Sequence, residues 1–260
     1  MMEANGVSIV IAVWNQLRYT RLTVEAILKN TRKTPHFELV IVDNGSRPDV
    51  KNYFEALKNK GVAIQYIRNE KNLGPIRAIN QGGASAKYDY ICVMHNDLLI
   101  LEGGWLEKIV SVMEHDPAIG IAGLAGRKEI YDTGCVNEAS LKHNLKSEDL
   151  NAPMSEEVAD VAVIDGLCLV IARRFFEKSK GFDETFGYMH CYDLDISMQS
   201  ISAGYRNVVV KVAAMHIGNG GMTRRLGEYK EFVKDDYGLL KKNCKIFSDK
   251  WRGMLPVKIS

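Results

Sequence analysis

Polar side chains with the chemistry to bind a ligand follow several short apolar segments of this sequence. Aspartate and histidine can ligate a cation, and both can accept hydrogen bonds from a bound molecule. In an open sheet of parallel strands, ligands bind beyond the carboxyl ends of the strands. We therefore expect one binding edge. The residues in these positions are Trp14-Asn15, Asp43-Asn44, residues 69–72, His95-Asn96-Asp97 and His216.

The first half of the chain alternates strand and helix patterns that would carry these residues. Short β-branched runs predict strands, and apolar residues at helical spacing predict the helices between them. The predicted strands are residues 7–13, 37–42, 63–67 and 88–94. The predicted helices are residues 17–30, 50–60, 75–86 and 105–115. This alternation predicts an α/β protein with a mainly parallel sheet and helices on both faces.

The second half of the chain departs from this rhythm. Residues 126–160 are polar and weakly periodic, which predicts a long functional loop or an excursion from the compact domain. We expect a strand over 161–172 and a last strand over 208–212. Helices are expected over 173–180 and 195–203.

The composition excludes several classes of protein. The 260 residues include 34 lysines and arginines against 32 aspartates and glutamates, a net charge of +2 that argues against a nucleic-acid partner. A hydrophobic content of 46% excludes a disordered chain. The five cysteines are scattered without zinc-site spacing. With no signal peptide and no membrane-spanning run expected, the sequence predicts a cytoplasmic protein.

Ordered motifs along most of the chain resemble those of family 2 glycosyltransferases with the GT-A fold. The residues that carry the resemblance are VSIVIAVWN from position 7, V-D-N-G-S at 42–46, N-L-G at 72–74, H-N-D at 95–97, G-F-D-E-x-F at 181–186, Y-D-L-D at 192–195 and His216. The resemblance covers about residues 7–220. It implies a Rossmann-like central sheet and transfer of a sugar from a nucleotide-sugar donor.

The resemblance implies that the donor binds along the first half of the chain. Asp43 resembles an acid that accepts a hydrogen bond from a pyrimidine N3–H, which favours UDP or dTDP over GDP, although it could simply close an Asx turn. Trp14 could stack on the base or belong to the core. Arg77 could contact the donor or lie exposed on its helix. The other implied donor-side residues are Val13, Asn15, Asn72, Gly74, His95 and Asn96.

A divalent cation, Mn²⁺ or Mg²⁺, is implied by the same resemblance. Asp97 ends a motif similar to the family's D-x-D, and His216 matches a histidine that completes the metal site. Such a cation stabilises the departing diphosphate. The chain departs from the family at His95, which replaces the first acid of the motif. The glycine-rich residues 218–221 after His216 favour the assignment.

The resemblance also implies a general base that removes the proton of the acceptor hydroxyl while the anomeric configuration is inverted. The family's E-D pair reads Tyr192-Asp193 here, so Asp193 is the expected base and the glutamate is missing. Asp195 is the alternative base, although we expect it to cap the helix over 195–203. Gly166 and Tyr192 are expected on the acceptor side. Trp105 is expected there or in the core.

We expect a GT-A domain over residues 1–223, with a donor half over about 1–100 and an acceptor half over about 101–223. Residues 224–260 would form a helical, basic tail. Residues 241–260 contain six basic residues and one acid, interleaved with Phe247 and Trp251. Peripheral contact with the inner face of a membrane is one expectation for this tail. Packing of its aromatic residues on the domain is the other.

The implied reaction is sugar transfer to a hydroxyl of a saccharide or a lipid-linked glycan. Two alternatives stay open at this point. A sugar nucleotidyltransferase would share the strand and helix pattern, but its G-x-G-T-R loop is absent at residues 12–15. A non-catalytic nucleotide-sugar-binding module is suggested by His95 and Tyr192, which replace acids. Turnover of a donor separates this module from an enzyme.

Overall fold

A computed structural model of the protein describes residues 6–32, 35–146, 153–218 and 228–260. The α-helices in this part of the chain are α1 (Leu17–Asn30), α2 (Pro48–Asn59), α3 (Pro75–Ser85), α4 (Trp105–His115), α5 (Arg173–Ser179), α6 (Tyr192–Ser202), α7 (Tyr229–Phe232) and α8 (Asp236–Trp251). The strands are β1 (Gly6–Val13), β2 (His36–Asp43), β3 (Ile64–Arg68), β4 (Tyr90–Met94), β5 (Leu98–Ile100), β6 (Ile119–Gly123), β7 (Ala125–Arg127), β8 (Glu129–Ile130), β9 (Leu141–His143), β10 (Val158–Val161), β11 (Val163–Ile164), β12 (Cys168–Ala172), β13 (Arg206–Val210), β14 (Ala214–His216) and β15 (Val257–Lys258).

Eight strands form one central sheet in the order β10-β13-β6-β12-β4-β1-β2-β3. Six of them run in the same direction, and β12 and β10 run against their neighbours. The predicted mainly parallel sheet is therefore confirmed. The reversed β12 lies at the centre of the sheet, between β4 and β6.

The two faces of the sheet are covered by different helices. Along β1, the alternating residues Val7, Ile9 and Ile11 pack on one face with α1, α2 and α4. Val10 points to the other face, which α3, α5, α6 and α8 cover. The alternation arises because successive side chains of a strand point to opposite faces. The predicted helices on both faces are confirmed.

Three sequence predictions for the second half are wrong in detail. Residues 126–160 are not one loop, since they contain β8 and β9 and contribute to a second sheet of β11, β7 and β9. The strand expected over 161–172 is broken into the end of β10, β11 and β12. The helix expected over 195–203 begins three residues earlier, at Tyr192. Strands β8, β9 and β11 are two or three residues long, which is too short to leave a periodic pattern in the sequence.

The C-terminal residues pack against the rest of the molecule. Phe247 of α8 has no exposed surface and belongs to the core on the α6 side of the sheet. β15 pairs with β8 in antiparallel fashion. Packing of the tail on the domain, the second of the two expectations, is what the structure shows. No helix among the described residues is long and apolar enough to cross a membrane.

We expect Phe247→Ala to lower the free energy of unfolding by about 3–5 kcal/mol, because it leaves a cavity in a packed core. Chemical denaturation followed by circular dichroism measures the change. Tyr237→Ala, on the first turn of the same helix, is the control, because Tyr237 is 65% exposed. Equal, small effects of both substitutions would show that the helix does not depend on this core.

Candidate active site

Three candidate metal ligands meet at the carboxyl end of β4. His95 and Asp97 follow this strand directly, and His216 ends β14, which pairs with β5. His216 Nε2 lies 3.0 Å from Asp97 Oδ1, and His95 Nδ1 lies 3.8 Å from the same oxygen. One ligand atom from each residue lies within 4.8 Å of the other two. Since metal–ligand bonds are about 2.1 Å long, small side-chain rotations allow one ion to contact all three.

The segment after His216 closes against Asp97. The backbone N–H of Ile217 donates to the backbone oxygen of Asp97 at 2.9 Å. A Cβ atom at Gly218 would overlap the Asp97 carboxylate, so this close approach requires glycine. Residues 219–221 of the glycine-rich run lie outside the described residues.

The local environment shifts the pKa of two of these ligands, His95 and Asp97. Burial lowers the pKa of His95, so its imidazole is neutral at pH 7 and has a lone pair for a metal. Burial alone would raise the pKa of Asp97, but the hydrogen bond from His216 and the electrostatic attraction of the two histidines outweigh it and lower that pKa. Asp97 is therefore ionised. A neutral imidazole beside an ionised carboxylate fits a divalent cation.

One turn connects these ligands with Asp193. Because β12 runs against β4, the turn that precedes β12 lies beside the carboxyl end of β4. In this turn the carbonyl of Leu167 accepts a hydrogen bond from the backbone of His95 at 3.0 Å. The neighbouring Gly166 N–H donates to Asp193 Oδ2 at 2.8 Å. Two consecutive residues thus contact the candidate metal site and the candidate base.

Asp193 lies in the first turn of α6 in a partly buried position. Its Oδ1 accepts a hydrogen bond from the backbone of Leu194 at 3.0 Å. Burial and the charge of Asp165 raise the pKa of Asp193, and the two backbone hydrogen bonds only partly offset them. A raised pKa makes the ionised carboxylate a stronger base.

Asp195 does not cap α6, because this helix already begins at Tyr192. Its carboxylate has no exposed surface. It accepts hydrogen bonds from Trp251 Nε1 at 2.8 Å and from Gln199 Nε2 at 2.7 Å, and Lys250 Nζ lies 2.9 Å away. The expected cap is therefore wrong, and a carboxylate with these buried partners is not accessible to an acceptor hydroxyl.

Helix α8 also holds the strained segment that leads into α6. His190 and Cys191 have φ angles of 72° and 62°, in the left-handed region that non-glycine residues rarely adopt. The buried side chain of Asn243 donates to the carbonyls of Phe186 and Met189, at 2.7 and 2.6 Å. These bonds fix the backbone from which Asp193 projects.

A network of amide side chains organises the edge of the sheet where β1 and β2 end. Asn44 is 2% exposed and donates to Asn72 Oδ1 at 2.7 Å and to the carbonyl of Gly74 at 3.1 Å. Asn72 in turn donates to the hydroxyl of Tyr188 at 2.7 Å. Burial raises the pKa of Tyr188 to about 12, so the phenol stays neutral. The network places Asn72 and Gly74 beside the ends of β1 and β2.

The Asp43 carboxylate accepts more hydrogen bonds than the single turn contact that the sequence indicates. Its Oδ1 accepts a hydrogen bond from Ser46 N at 2.8 Å, which is the turn contact expected as the alternative to base recognition. Its Oδ2 accepts hydrogen bonds from the Tyr66 hydroxyl and the Arg68 guanidinium. Asp43 has no exposed side-chain surface, whereas Arg68 is 36% exposed. The guanidinium is therefore the group presented at this position.

The residues at the end of β1 meet the C-terminal part of the chain. Val13 is fully buried, and Asn15 bonds to the turn after β2 through its backbone and its side chain. The Trp14 ring packs edge-on against Phe232, with centroids 5.4 Å apart. Phe232 stacks on Tyr188 at 5.5 Å. Trp14 thus belongs to a group of three aromatic residues, with Phe232 and Tyr188, at the end of β1.

Several residues expected in the site have side chains that contact other parts of the protein. Trp105 is fully buried and donates to a threonine hydroxyl beyond α1, which agrees with the core alternative. Asn96 donates to a hydroxyl of α1. Arg77 forms an exposed ion pair with Glu184, which agrees with the exposed alternative. Tyr192 is 8% exposed and packs beside Gly166.

The structure also adds residues that the sequence reasoning missed. Arg68 ends β3, one residue before the polar stretch singled out in the sequence. Asp165 follows β11. Arg127 ends β7, and its guanidinium donates a hydrogen bond to the Asp165 carboxylate. Arg68 and Asp165 satisfy the same rule that selected the others, namely a polar residue at the end of a strand. The strand before Asp165 is only two residues long, which concealed the signal.

Comparison with known proteins agrees with this arrangement. The family model described as glycosyl transferase family 2 matches residues 8–142, more than half of the chain. The chain belongs to glycosyl transferase family 2. This membership argues against the sugar nucleotidyltransferase alternative.

Two curated relatives illustrate the range of this family. The chain is 27% identical over 249 residues to an uncharacterised glycosyltransferase of Rickettsia typhi, covering 92% of this chain and 73% of that one. It is 24% identical over 216 residues to the O-antigen biosynthesis protein RfbC of Myxococcus xanthus, covering 78% of this chain and 16% of that one. The chain spans less than a quarter of the length of several relatives that it matches.

Solved structures support the GT-A fold. GalNAc-T7 with UDP, GalNAc and Mn²⁺ is 17% identical, with a TM-score of 0.67 over 95% of this chain and 55% of that one. The mannosyltransferase PcManGT of Pyrobaculum calidifontis, in complex with GDP-Man and Mn²⁺, is 14% identical, with a TM-score of 0.62 over 96% and 70%. At these identities the likeness shows the fold alone.

We expect Asp97→Asn to reduce Mn²⁺ affinity about tenfold or more, because it removes the only anionic ligand of the three. Electron paramagnetic resonance of free Mn²⁺, measured with the full chain, gives the affinity directly. Asp132→Asn is the matched control, since Asp132 is an exposed acid in the 126–160 region. Equal Mn²⁺ binding by wild type and both variants would contradict the assignment of these ligands.

Proposed function

We propose that this glycosyltransferase moves a sugar from a nucleoside diphosphate to a hydroxyl acceptor with inversion at the anomeric carbon. The observation that carries the proposal is the turn of Gly166 and Leu167. Its two residues contact Asp193 on one side and His95 on the other. A direct displacement with inversion needs a base on the acceptor face of the anomeric carbon, opposite the leaving group, and this turn holds the candidate base at a fixed separation from the candidate metal site.

His95, Asp97 and His216 would hold the divalent cation. When bound, such an ion supplies positive charge that stabilises the departing diphosphate. Because two of the three ligands are imidazoles, the donor set suits Mn²⁺ better than Mg²⁺, which prefers oxygen ligands. The Mn²⁺ in the two structural neighbours supports this choice.

Asp193 would accept the proton of the acceptor hydroxyl while that oxygen attacks the anomeric carbon. Its carboxylate is oriented by the backbone N–H groups of Gly166 and Leu194, so the lone pairs that these bonds leave unused would face the acceptor. The burial that raises its pKa favours proton transfer near neutral pH.

The donor nucleotide is proposed as UDP or dTDP. A pyrimidine presents an N3–H donor next to a carbonyl acceptor, and Asp43 and Arg68 offer the complementary acceptor and donor side by side. Because Asp43 has no exposed surface, base contact requires Tyr66 or Arg68 to turn aside. Tighter binding of GDP than of UDP and dTDP in calorimetry would overturn this choice.

The acceptor is proposed as a hydroxyl of a saccharide, free or lipid-linked. The name of the O-antigen relative supports a role in polysaccharide synthesis. Phe247 and Trp251 pack inward, so contact of the tail with an anionic membrane would rest mainly on exposed charges, among them Lys245 and Arg252. Such contact would be sensitive to salt.

We expect Asp193→Asn to lower the transfer rate by about 10²–10⁴ while nucleotide affinity stays within a factor of two or three of wild type, because a general base acts only in the chemical step. Donor turnover with Mn²⁺ and calorimetry with UDP measure the two quantities. Wild-type turnover also separates an enzyme from the non-catalytic module.

Asp195→Asn is the comparison, and its main expected effect is lower thermal stability, because it breaks buried bonds to Lys250 and Trp251. A stable but inactive Asp195→Asn together with an active Asp193→Asn would move the base to Asp195.

A further inference from the structure

The turn before β12 is packed tightly against the start of α6. A Cβ atom at Gly166 would lie 2.5 Å from the Tyr192 hydroxyl and 3.2 Å from Asp193 Oδ2. Glycine is therefore required for this approach, and it brings the backbone of the turn into direct contact with the base. The residue before Gly166 is Asp165, whose side chain belongs to the same small region.

Asp165 is held in place by a largely buried arginine. The Arg127 guanidinium, whose side chain is 17% exposed, binds the Asp165 carboxylate through one nitrogen. Its other nitrogens bind Glu138 at 2.9 and 2.7 Å. The backbone N–H of Asp165 donates to the carbonyl of Ala125 at 2.9 Å. Both the backbone and the carboxylate of Asp165 are thus fixed beside α6.

Helix α6 offers one usable acid at the reaction centre. Tyr192 stands where the resemblance places a glutamate, and burial raises the pKa of its phenol, so it adds no charge. Asp195 is neutralised by Lys250 and bound by Trp251. The acid that adjoins this region from another part of the chain is Asp165, because the next residue, Gly166, donates to Asp193 Oδ2 at 2.8 Å. The charge of Asp165 also raises the pKa of both Tyr192 and Asp193.

We propose that Asp165, fixed by Arg127, is the second acidic group of the reaction centre and a positioning residue that acts through Asp193. The inference rests on the proposed role of Asp193 as the base. Asp165 approaches from the turn before β12, whereas a glutamate at position 192 would approach from α6. The chain thereby retains two acids at this place although residue 192 is a tyrosine.

The electrostatic consequence follows from the groups that face Asp193. Among the described residues these are the Asp165 carboxylate, the neutral Tyr192 phenol and the Cys191 thiol, which burial keeps protonated by raising its pKa. A like charge disfavours ionisation, so Asp165 raises the pKa of Asp193. Arg127 opposes this effect because it partly neutralises Asp165. Removal of either partner of the pair should therefore shift the titration of Asp193, in opposite directions.

The test compares Asp165→Asn and Arg127→Gln with wild type in the full chain. Carbon-13 carboxyl NMR follows the titration of Asp193, and Asp193→Asn assigns its signal. We expect Asp165→Asn to lower the pKa of Asp193 by about 0.5–1 unit and Arg127→Gln to raise it. The acid limb of the pH profile of kcat/KM should move in the same directions. A general structural defect would instead affect both variants alike.

Glu138→Gln is the matched control. It removes an acid from the same arginine, but Glu138 is 71% exposed and lies on the far side of that guanidinium. We expect the Asp193 titration to be unchanged by this substitution. An Asp193 titration that is the same in wild type, Asp165→Asn and Arg127→Gln would overturn the inference, as would shifts of the same sign in the two variants.

The two proposals fail in different ways. Opposite shifts of the Asp193 titration without sugar transfer by wild type would preserve the acid pair and overturn the proposed reaction. Transfer that depends on Asp193, with an unmoved titration in the Asp165 and Arg127 variants, would preserve the reaction and overturn the pair.

Discussion

The antiparallel direction of β12 is the constraint on which the site depends. In a sheet of parallel strands alone, only the carboxyl ends of strands would reach the ligand edge. Because β12 is reversed, the turn before it reaches that edge as well, and the backbone of Gly166 and Leu167 meets Asp193 and His95 there. The hydrogen-bond ladder between β12 and β4 therefore sets the separation between the proposed base and the candidate metal ligands.

The buried carboxylate of Asp195 ties the C-terminal helix to this arrangement. An ionised carboxylate without exposed surface costs several kcal/mol unless it is paired and hydrogen-bonded. Lys250 and Trp251 of α8 supply those partners, and Asn243 of the same helix holds the strained backbone before Tyr192. Helix α8 is therefore part of the framework of the candidate site, although it lies beyond residues 8–142, which the family model matches.

The two departures from the family motifs have different structural consequences. His95 takes an acid's place in the candidate metal motif, and burial lowers its pKa, so this ligand adds no negative charge to the set. Tyr192 takes an acid's place beside the base, and its phenol packs against Gly166. In the second case a neighbouring segment brings Asp165 into the region. The reaction centre is thus assembled from more of the chain than the motifs cover.

The sequence by itself determined the strands and helices of the first half, because β1 to β4 and α1 to α4 are long enough for their periodicity to be read. It also singled out His95, Asp97 and His216, which the structure brings together, and Asp193, which one turn links to them. Only the tertiary structure decided that Asp43 lies beneath Arg68, that Trp105 is core and that Asp195 pairs with α8. These outcomes depend on contacts between residues far apart in the chain, and local patterns carry no record of such contacts. Asp165 shows the same limit, since its role arises from a reversed strand and a distant arginine.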